Sequence, residues 1–548
     1  MERPIKLMQA AVSQPLQICN ESRKLLFSDL PDNVVHHIIS FLDLQSLFRF
    51  IYASKRFREL YLTNPFLAFD GTEYSTCYML QHMYMNLFNR FLLERNGRKL
   101  CGFLIRLQYK TVEVYRIITW LLVAVECNVE VVDLEVFCEE RAERQKIEFP
   151  LCLFRCGSLR SVAVNLHGGF LVLPSSCGFS FLQSLSLKSV KMANNFGEWI
   201  SSFCECLQEL WLEDITEIDN VSIISSSLLR FTLVESRLSS QLRHLRIAGG
   251  KLEVVDITWR FNSSIGKSLK ISAPNLKYLT WNGNPTNENC LDPFVQLEGA
   301  RLLLEPKEDT ANNLHEILLD VSRAKDLSLH DVMIKALFEQ GYPFPPINNV
   351  QGLCMYTSSL NNDLVPAMIF LLTGMPNLKT VSIKSSALLP NTNVSRRVHC
   401  STRSCASSPY YGASKRMQKE IKWSTQSINN ASRFNARHHC STKSGASLTR
   451  CGVHCGIKLS TPSANNASGF DTRYWESQNL RFICHLEMVE LELFDGINAL
   501  CLGLFLLKHA KKLKKMVVFH SPSLPSDTYR KIQNCAMATA ATVVFQEK

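Results

Sequence analysis

Apolar residues fall at helical spacing three times between Phe27 and Tyr61. Val34, Ile38 and Leu42 stand at i, i+4 and i+8, with Val35, Ile39 and Phe41 widening the stripe, which predicts a first helix. That helix opens at Leu30-Pro31-Asp32, where proline is tolerated in a first turn and Asp32 favours the positive helix end. A second helix starts after Asp43, an N-cap candidate, and carries Leu44, Leu47, Phe48 and Ile51 on one face. The third runs from Ser54 to about Leu62 and stops at Asn64-Pro65. So small a unit cannot bury all of these side chains alone, so the pattern calls for a partner surface.

From Asn64 to about Asn128 the pattern stays helical, with Phe88, Phe91 and Leu92 on one stripe and Trp120, Leu121 and Ala124 on another. These residues are expected to cap a downstream array, because stacked repeats bury their faces only against neighbours. From Val129 short alternating runs take over, as in VVDLEVF, LQSLSLKSV, LQELWLEDI and LRHLRIAGG. Successive strand starts at 131, 159, 182, 207 and 228 lie 28, 23, 25 and 21 residues apart, and L-x-x-L-x-L recurs at 182, 207 and 242. That period and core are those of leucine-rich repeats. Further strands are predicted through KLKKMVVFH at 512–520, with convex helices at Phe196–Phe203, Asp363–Leu372 and Leu500–Ala510. In the strand from Leu207, leucines 207, 210 and 212 point inward and leave Glu209, Trp211 and Glu213 for another surface.

Residues 391–469 break the pattern. Asn393-Val394-Ser395-Arg396, Asn430-Ala431-Ser432-Arg433 and Asn466-Ala467-Ser468-Gly469 are related copies, and His399-Cys400-Ser401-Thr402 recurs at His439. Polar and without periodic apolar residues, the segment reads as a disordered surface insertion between two repeat strands, arising by tandem duplication or from non-coding sequence retained in the reading frame. It also carries the charge: twelve Lys and Arg stand against Glu420 alone, which equals the +11 of the whole chain of 548 residues. The remainder is neutral, so basicity gives its folded surface no bias toward nucleic acid.

Composition narrows the class further. Hydrophobic content of 46% is globular, and the longest apolar runs, Ile117–Val125 and Leu500–Leu507, fall short of the ~20 residues of a membrane span. The first residues lack the apolar core of a secretory signal, so an intracellular protein, cytoplasmic or nuclear, is expected, with its 20 cysteines mostly reduced and buried.

Catalytic motifs are not nominated. Gly266-Lys267-Ser268 invites a phosphate-loop reading, but Phe261 stands where that loop needs its first glycine. Cys400, Cys405, His438, His439, Cys440, Cys451, His454 and Cys455 carry zinc-ligand chemistry without a paired C-x2-C framework, so no metal is expected. Trp423, Tyr410 and Tyr411 are the stacking candidates of the basic segment, where a solvated loop is the simpler expectation.

The order Leu-Pro-Asp, helix, Asp-Leu, helix, then Ser54-Lys55-Arg56-Phe57-Arg58, closely resembles the F-box, with Phe57 where plant members usually carry Trp. Residues 470–548, with FDTRYWE, an apolar helix and KKLKKMVVF, resemble the C-terminal FBD region of plant F-box proteins with leucine-rich repeats. Pattern and resemblance together give the expected α/β chain: a flexible leader (1–26), a three-helix F-box (27–63), a helical cap (64–128), leucine-rich repeats forming a curved parallel sheet with convex helices (129–390), the disordered insertion (391–469), which the resemblance does not cover, and FBD-like terminal repeats (470–548). It implies docking onto a Skp-type adaptor, and through it a cullin, by Leu30, Pro31, Val34, Ile38, Ile39, Leu42, Leu44, Leu47 and Phe48. Some of these must instead hold the three helices together. The implied role is a non-catalytic substrate receptor of a ubiquitin ligase, without cofactor or membrane partner. A protein substrate is expected on the concave strand face, where Glu209, Trp211 and Glu213 are the candidates. The alternative is a repeat scaffold or nucleic-acid-associated protein without ligase activity.

Overall fold

The structure, a computed structural model, describes residues 30–548 apart from 73–77, 110–113, 139–145, 239, 342–346, 386–469, 495–496, 523–525 and 548. The leader, the insertion and the cysteine and histidine cluster predicted within it lie outside the described residues.

Three helices open the chain: α1 (Asp32–Ile39), α2 (Leu44–Ala53) and α3 (Lys55–Thr63). Asp43 caps α2 by accepting from Ser46 N at 2.7 Å, and Ser54 caps α3 by accepting from Phe57 N at 3.1 Å. Each satisfies an amide that the first turn leaves without a helical partner.

The sheet begins earlier than the hydrophobic pattern implies. β1 (Phe66–Asp70), α4 (Tyr78–Glu94), β2 (Gly102–Tyr109), α5 (Val114–Glu126) and β3 (Val131–Cys138) form parallel strand and helix units. The segment read as a helical cap thus contributes two strands as well as its helices. Then come β4 (Lys146–Glu148), α6 (Leu151–Phe154), β5 (Ser161–Val172), β6 (Ser184–Lys191), α7 (Phe196–Phe203) and β7 (Glu209–Glu213).

Between β7 and residue 304 the return leg changes from helix to strand. β8 (Asn220–Ile224), β10 (His244–Ala248), β12 (Ser268–Ser272) and β14 (Glu288–Leu291) make a second parallel sheet, interleaved in sequence with β9 (Arg230–Glu235), β11 (Val254–Trp259), β13 (Tyr278–Gly283) and β15 (Gly299–Leu304) of the first. The starts of β9, β11 and β13 are 24 residues apart, as are those of β8, β10 and β12. The run at 242–250, predicted as one more strand of the main sheet, is β10 and belongs to the second. Alternation reports one buried face and does not say which sheet owns it.

Helices return with α8 (Leu314–Asp320), β16 (Asp326–His330), α9 (Asp331–Glu339), β17 (Gly352–Thr357), α10 (Leu364–Thr373) and β18 (Thr380–Ser385). The chain closes with α11 (Thr472–Glu476), β19 (Met488–Glu492), α12 (Asn498–His509), β20 (Lys515–His520), α13 (Ser526–Met537) and β21 (Thr542–Glu547). The main sheet has 17 strands, every pairing among the described residues parallel, and the second has four. A backbone ladder runs along the strand starts. The amides of Gln208 and Glu209 share Gln183 O, those of Leu229 and Arg230 share Gln208 O, and the same sharing continues to Lys514 and Lys515 on Glu487 O.

One apolar core threads the array. Inward leucines such as Leu210, Leu212, Leu233, Leu279, Leu302, Leu329 and Leu491 stack beneath the main sheet, with Trp120, Trp259, Trp281 and Trp475 filling the larger gaps.

Candidate functional site

Two surfaces bear on function. The first is the helical trio. Arg56 Nη2 donates to Leu30 O at 2.6 Å and pairs with Asp32 at 3.0 Å, and His36 Nε2 bonds Leu60 O at 2.9 Å, so the start of α1 is tied to α3. Phe57 stacks on Phe50 with ring centroids 4.2 Å apart.

The nine predicted docking residues divide. Ile39, Leu44, Leu47 and Phe48 are 4–5% exposed and lie in the protein's own core, with Val35 and Ile51. Phe48 stacks on Tyr84 and Phe91 of α4, and Tyr61 meets Phe91 edge-on. Part of the apolar surface of the trio is thus met within the chain: α1 packs against α3, and Phe48 of α2 and Tyr61 of α3 pack against α4. Pro31 and Val34 are exposed, and Leu30, Ile38 and Leu42 are half-buried. Those five, with the exposed Phe41 and Tyr52, form the apolar surface that remains.

The junction is polar as well as aromatic. Arg95 is 1% exposed and donates to Asn64 O (2.8 Å), which ends α3, and to Lys99 O (2.7 Å), which leads into β2. Ion pairs Arg58–Glu94 and Arg98–Glu59, both 2.7 Å, flank it.

The second surface is the face of the main sheet away from the core. Glu209, Trp211 and Glu213 lie together on it, as their alternation predicts. Trp211 Nε1 donates to Glu213 at 3.3 Å, Lys188 pairs with Glu213 at 2.8 Å, and Arg230 approaches Glu209 at 3.9 Å. The same face holds a network that the sequence reading missed. Arg106 pairs with Asp70 (3.4 Å) and Glu135 (3.1 Å), and Glu135 Oε1 accepts from Asn165 and His167, both at 3.0 Å. The His167 bond, joined by the charge of Arg106, holds the Glu135 carboxyl below the usual carboxylate range against the effect of burial. One pleat away, burial pushes Asp133 up. The alternation of GFLIRLQY in β2 was the available signal.

Lys267 of the rejected phosphate loop turns inward. Only 7% exposed, it donates to Ser240 O and Leu242 O and lies over the rings of Trp259 and Phe261 at 5.5 and 5.2 Å. Burial lowers its pKa, and its role is structural. Among the described residues, no group of three or more His, Cys, Asp or Glu is placed to hold a metal, and no helix is long and apolar enough to cross a membrane.

With this geometry in view, the comparisons agree with the fold. The family model of the F-box domain matches residues 27–62, the three opening helices. Over 531 residues the chain is 24% identical to an F-box/FBD/LRR-repeat protein of Arabidopsis thaliana, covering 92% of this chain and 90% of that one. It is also 24% identical to an FBD-associated F-box protein (65% of this chain, 74% of the relative) and 22% identical to F-box/LRR-repeat protein 13 (66% and 76%), both from the same plant. An F-box, a leucine-rich-repeat sheet and an FBD-like C-terminal region therefore make up this chain, as in the plant proteins it resembles.

Proposed function

We propose that the protein is the substrate-receptor subunit of an SCF-type cullin-RING ubiquitin ligase, acting inside the cell. The F-box match, with an apolar surface left open around Pro31 and Val34, is the observation that carries this reading. In it, Leu30, Pro31, Val34, Ile38 and Leu42 dock the Skp-type adaptor. The open face of the main sheet holds a protein substrate, with Glu209, Trp211 and Glu213 among its contacts. Catalysis is by proximity: a separate conjugating enzyme supplies the chemistry and this chain supplies the position, so none of its residues is catalytic.

Affinity purification under proteasome inhibition tests this. The wild-type protein is expected to bring down adaptor, cullin and substrate. The Val34→Asp/Ile38→Asp double variant is expected to bring down substrate alone, because two carboxylates in an apolar docking surface must shed their water without gaining a partner. Adaptor retained by a folded double variant would sink the docking assignment.

A further inference from the structure

One row of the open face of the main sheet crosses neighbouring strands in unbroken register: Trp211 of β7, Thr232 of β9, Asp256 of β11, Thr280 of β13, Arg301 of β15 and Ser328 of β16. The row points away from the core, since the alternate positions, such as Leu212, Ile257 and Leu302, are the buried ones. Elsewhere on this face charged neighbours are paired, Arg106 with Glu135, Lys188 with Glu213 and Lys384 with Glu490. Asp256 and Arg301 differ. Both are half-buried, and among the described residues neither makes an ion pair or a hydrogen bond.

The charges diagonal to them are engaged elsewhere. Arg230, diagonal to Asp256, leans the other way, toward Glu209 of β7 at 3.9 Å. Asp326, diagonal to Arg301, lies over Gly352 of β17, where a Cβ would meet its Oδ1 at 2.1 Å. His330, on the other diagonal, pairs with Asp331 at 3.0 Å, and Glu298 accepts from the Tyr278 hydroxyl at 2.5 Å. A half-buried charge has lost part of its hydration, and without a pair nothing in the fold offsets that loss. Departures of this kind mark functional surfaces.

The row also sets a spacing. Strands are about 4.8 Å apart, so Trp211, Asp256 and Arg301, each two strands from the next, stand at intervals of about 9.6 Å. A polyproline II segment has three residues per turn and rises about 3.1 Å per residue, so it turns the same side outward every ~9.3 Å. An extended strand repeats its face every ~6.6 Å and leaves Asp256 between two residues, while two helical turns overshoot each interval at ~10.8 Å. Thr232 and Thr280, the residues between the three, are short enough to leave room for the intervening turns.

We propose that this row takes a segment of the protein substrate in the polyproline II form, with an apolar residue on Trp211, a Lys or Arg on Asp256 and an Asp or Glu on Arg301, each three residues from the next. The assignment rests on the receptor reading, in which the open face holds the substrate, and adds the chemistry of the segment held. Each charge of the segment meets an unpaired charge of opposite sign. A polyanion such as nucleic acid would instead bring phosphates against Asp256, Glu209 and Glu213.

Fluorescence anisotropy of the full chain tests this with two labelled, end-blocked peptides, Leu-Pro-Pro-Arg-Pro-Pro-Glu and its reverse, because the row sets spacing and not chain direction. The control, Leu-Pro-Arg-Pro-Glu-Pro-Pro, has the same composition at closer spacing. One of the two is expected to bind about tenfold more tightly than the control. Arg301→Glu is expected to lose about tenfold and to regain it with the peptide whose Glu is replaced by Arg; Asp256→Lys is expected to do the same with the peptide whose Arg is replaced by Glu. Should either variant melt lower than wild type, Arg301→Gln and Asp256→Asn are expected to lose about threefold each. No saturable binding of either peptide, equal affinity for the control, a loss in a folded charge-reversal variant that the matching peptide does not restore, or unchanged affinity in the neutral variants would overturn the proposal. Adaptor capture by the same protein separates the two readings: capture without peptide binding sinks this assignment alone, and peptide binding without capture sinks the ligase reading.

Discussion

Glu235 ends β9 on its inward side, 1% exposed, with Oε1 accepting from Ile215 N at 2.7 Å. Burial, reinforced by the nearby charge of Asp214, pushes its carboxyl from 4.5 up to about 8, against the pull of the Ile215 bond. A carboxyl raised on folding contributes stability that is full below its unfolded pKa, near 4.5, and lost as pH rises through the folded value. The slope is at most about 1.4 kcal/mol per pH unit. Glu235→Gln keeps an acceptor for Ile215 and removes the titration. Its melting temperature is expected to exceed that of wild type above about pH 8, with the gap closing toward about pH 5; parallel melting curves across that range would refute the assignment. Gly283 is a second demanding position. At φ +113°, a Cβ there would sit 2.2 Å from Trp259 O, so Gly283→Ala is expected to cost about 2–3 kcal/mol, read as a lowered urea midpoint.

At the scale of elements, the three opening helices were legible because their apolar spacing and the caps Asp43 and Ser54 agree. What could not be read was which docking residues face inward, since Ile39 and Val34 differ only in which side of α1 turns toward α3, and Phe48 only in meeting α4. Most strands of the main sheet were legible from alternating leucines. β1 and β2 were hidden by the strong helical stripes of α4 and α5 around them, and β8 and β14, with few inward residues each, carry too little alternation to notice. Arg95 joins these elements. Arg95→Met leaves Asn64 O and Lys99 O without their buried donor and is expected to cost about 2–3 kcal/mol. Limited proteolysis should show faster cleavage between residues 63 and 78 while the repeats stay resistant; unchanged cleavage would show that the aromatic contacts suffice.

Across the whole molecule, the sheet ignores its largest interruption. Ser382 and Glu490 are 108 positions apart, yet β18 and β19 pair in register, and Ser382 Oγ donates to Glu490 at 2.6 Å. Leaving out the 84 positions 386–469 gives a spacing of 24, that of β9, β11 and β13. A chain joined from 385 to 470 is therefore expected to melt within about 2 °C of the full protein, since added length in a connection costs little; a large drop in melting temperature would show that the segment supports the fold. The charge signal that looked like a property of the protein belongs to that one segment. The buried anchor at Arg95 has a further consequence under the proposed ligase role. From β1 to β21 the strands step through roughly 70 Å at about 4.8 Å each. Because the first rung is clamped to the F-box by Arg95, every rung would sit at a set height above an adaptor docked on the F-box. In that role the sheet would work as a ruler: the strand gripped by a substrate would select which of its lysines comes within reach, and shifting the grip by a few strands would change the modified lysine without altering affinity.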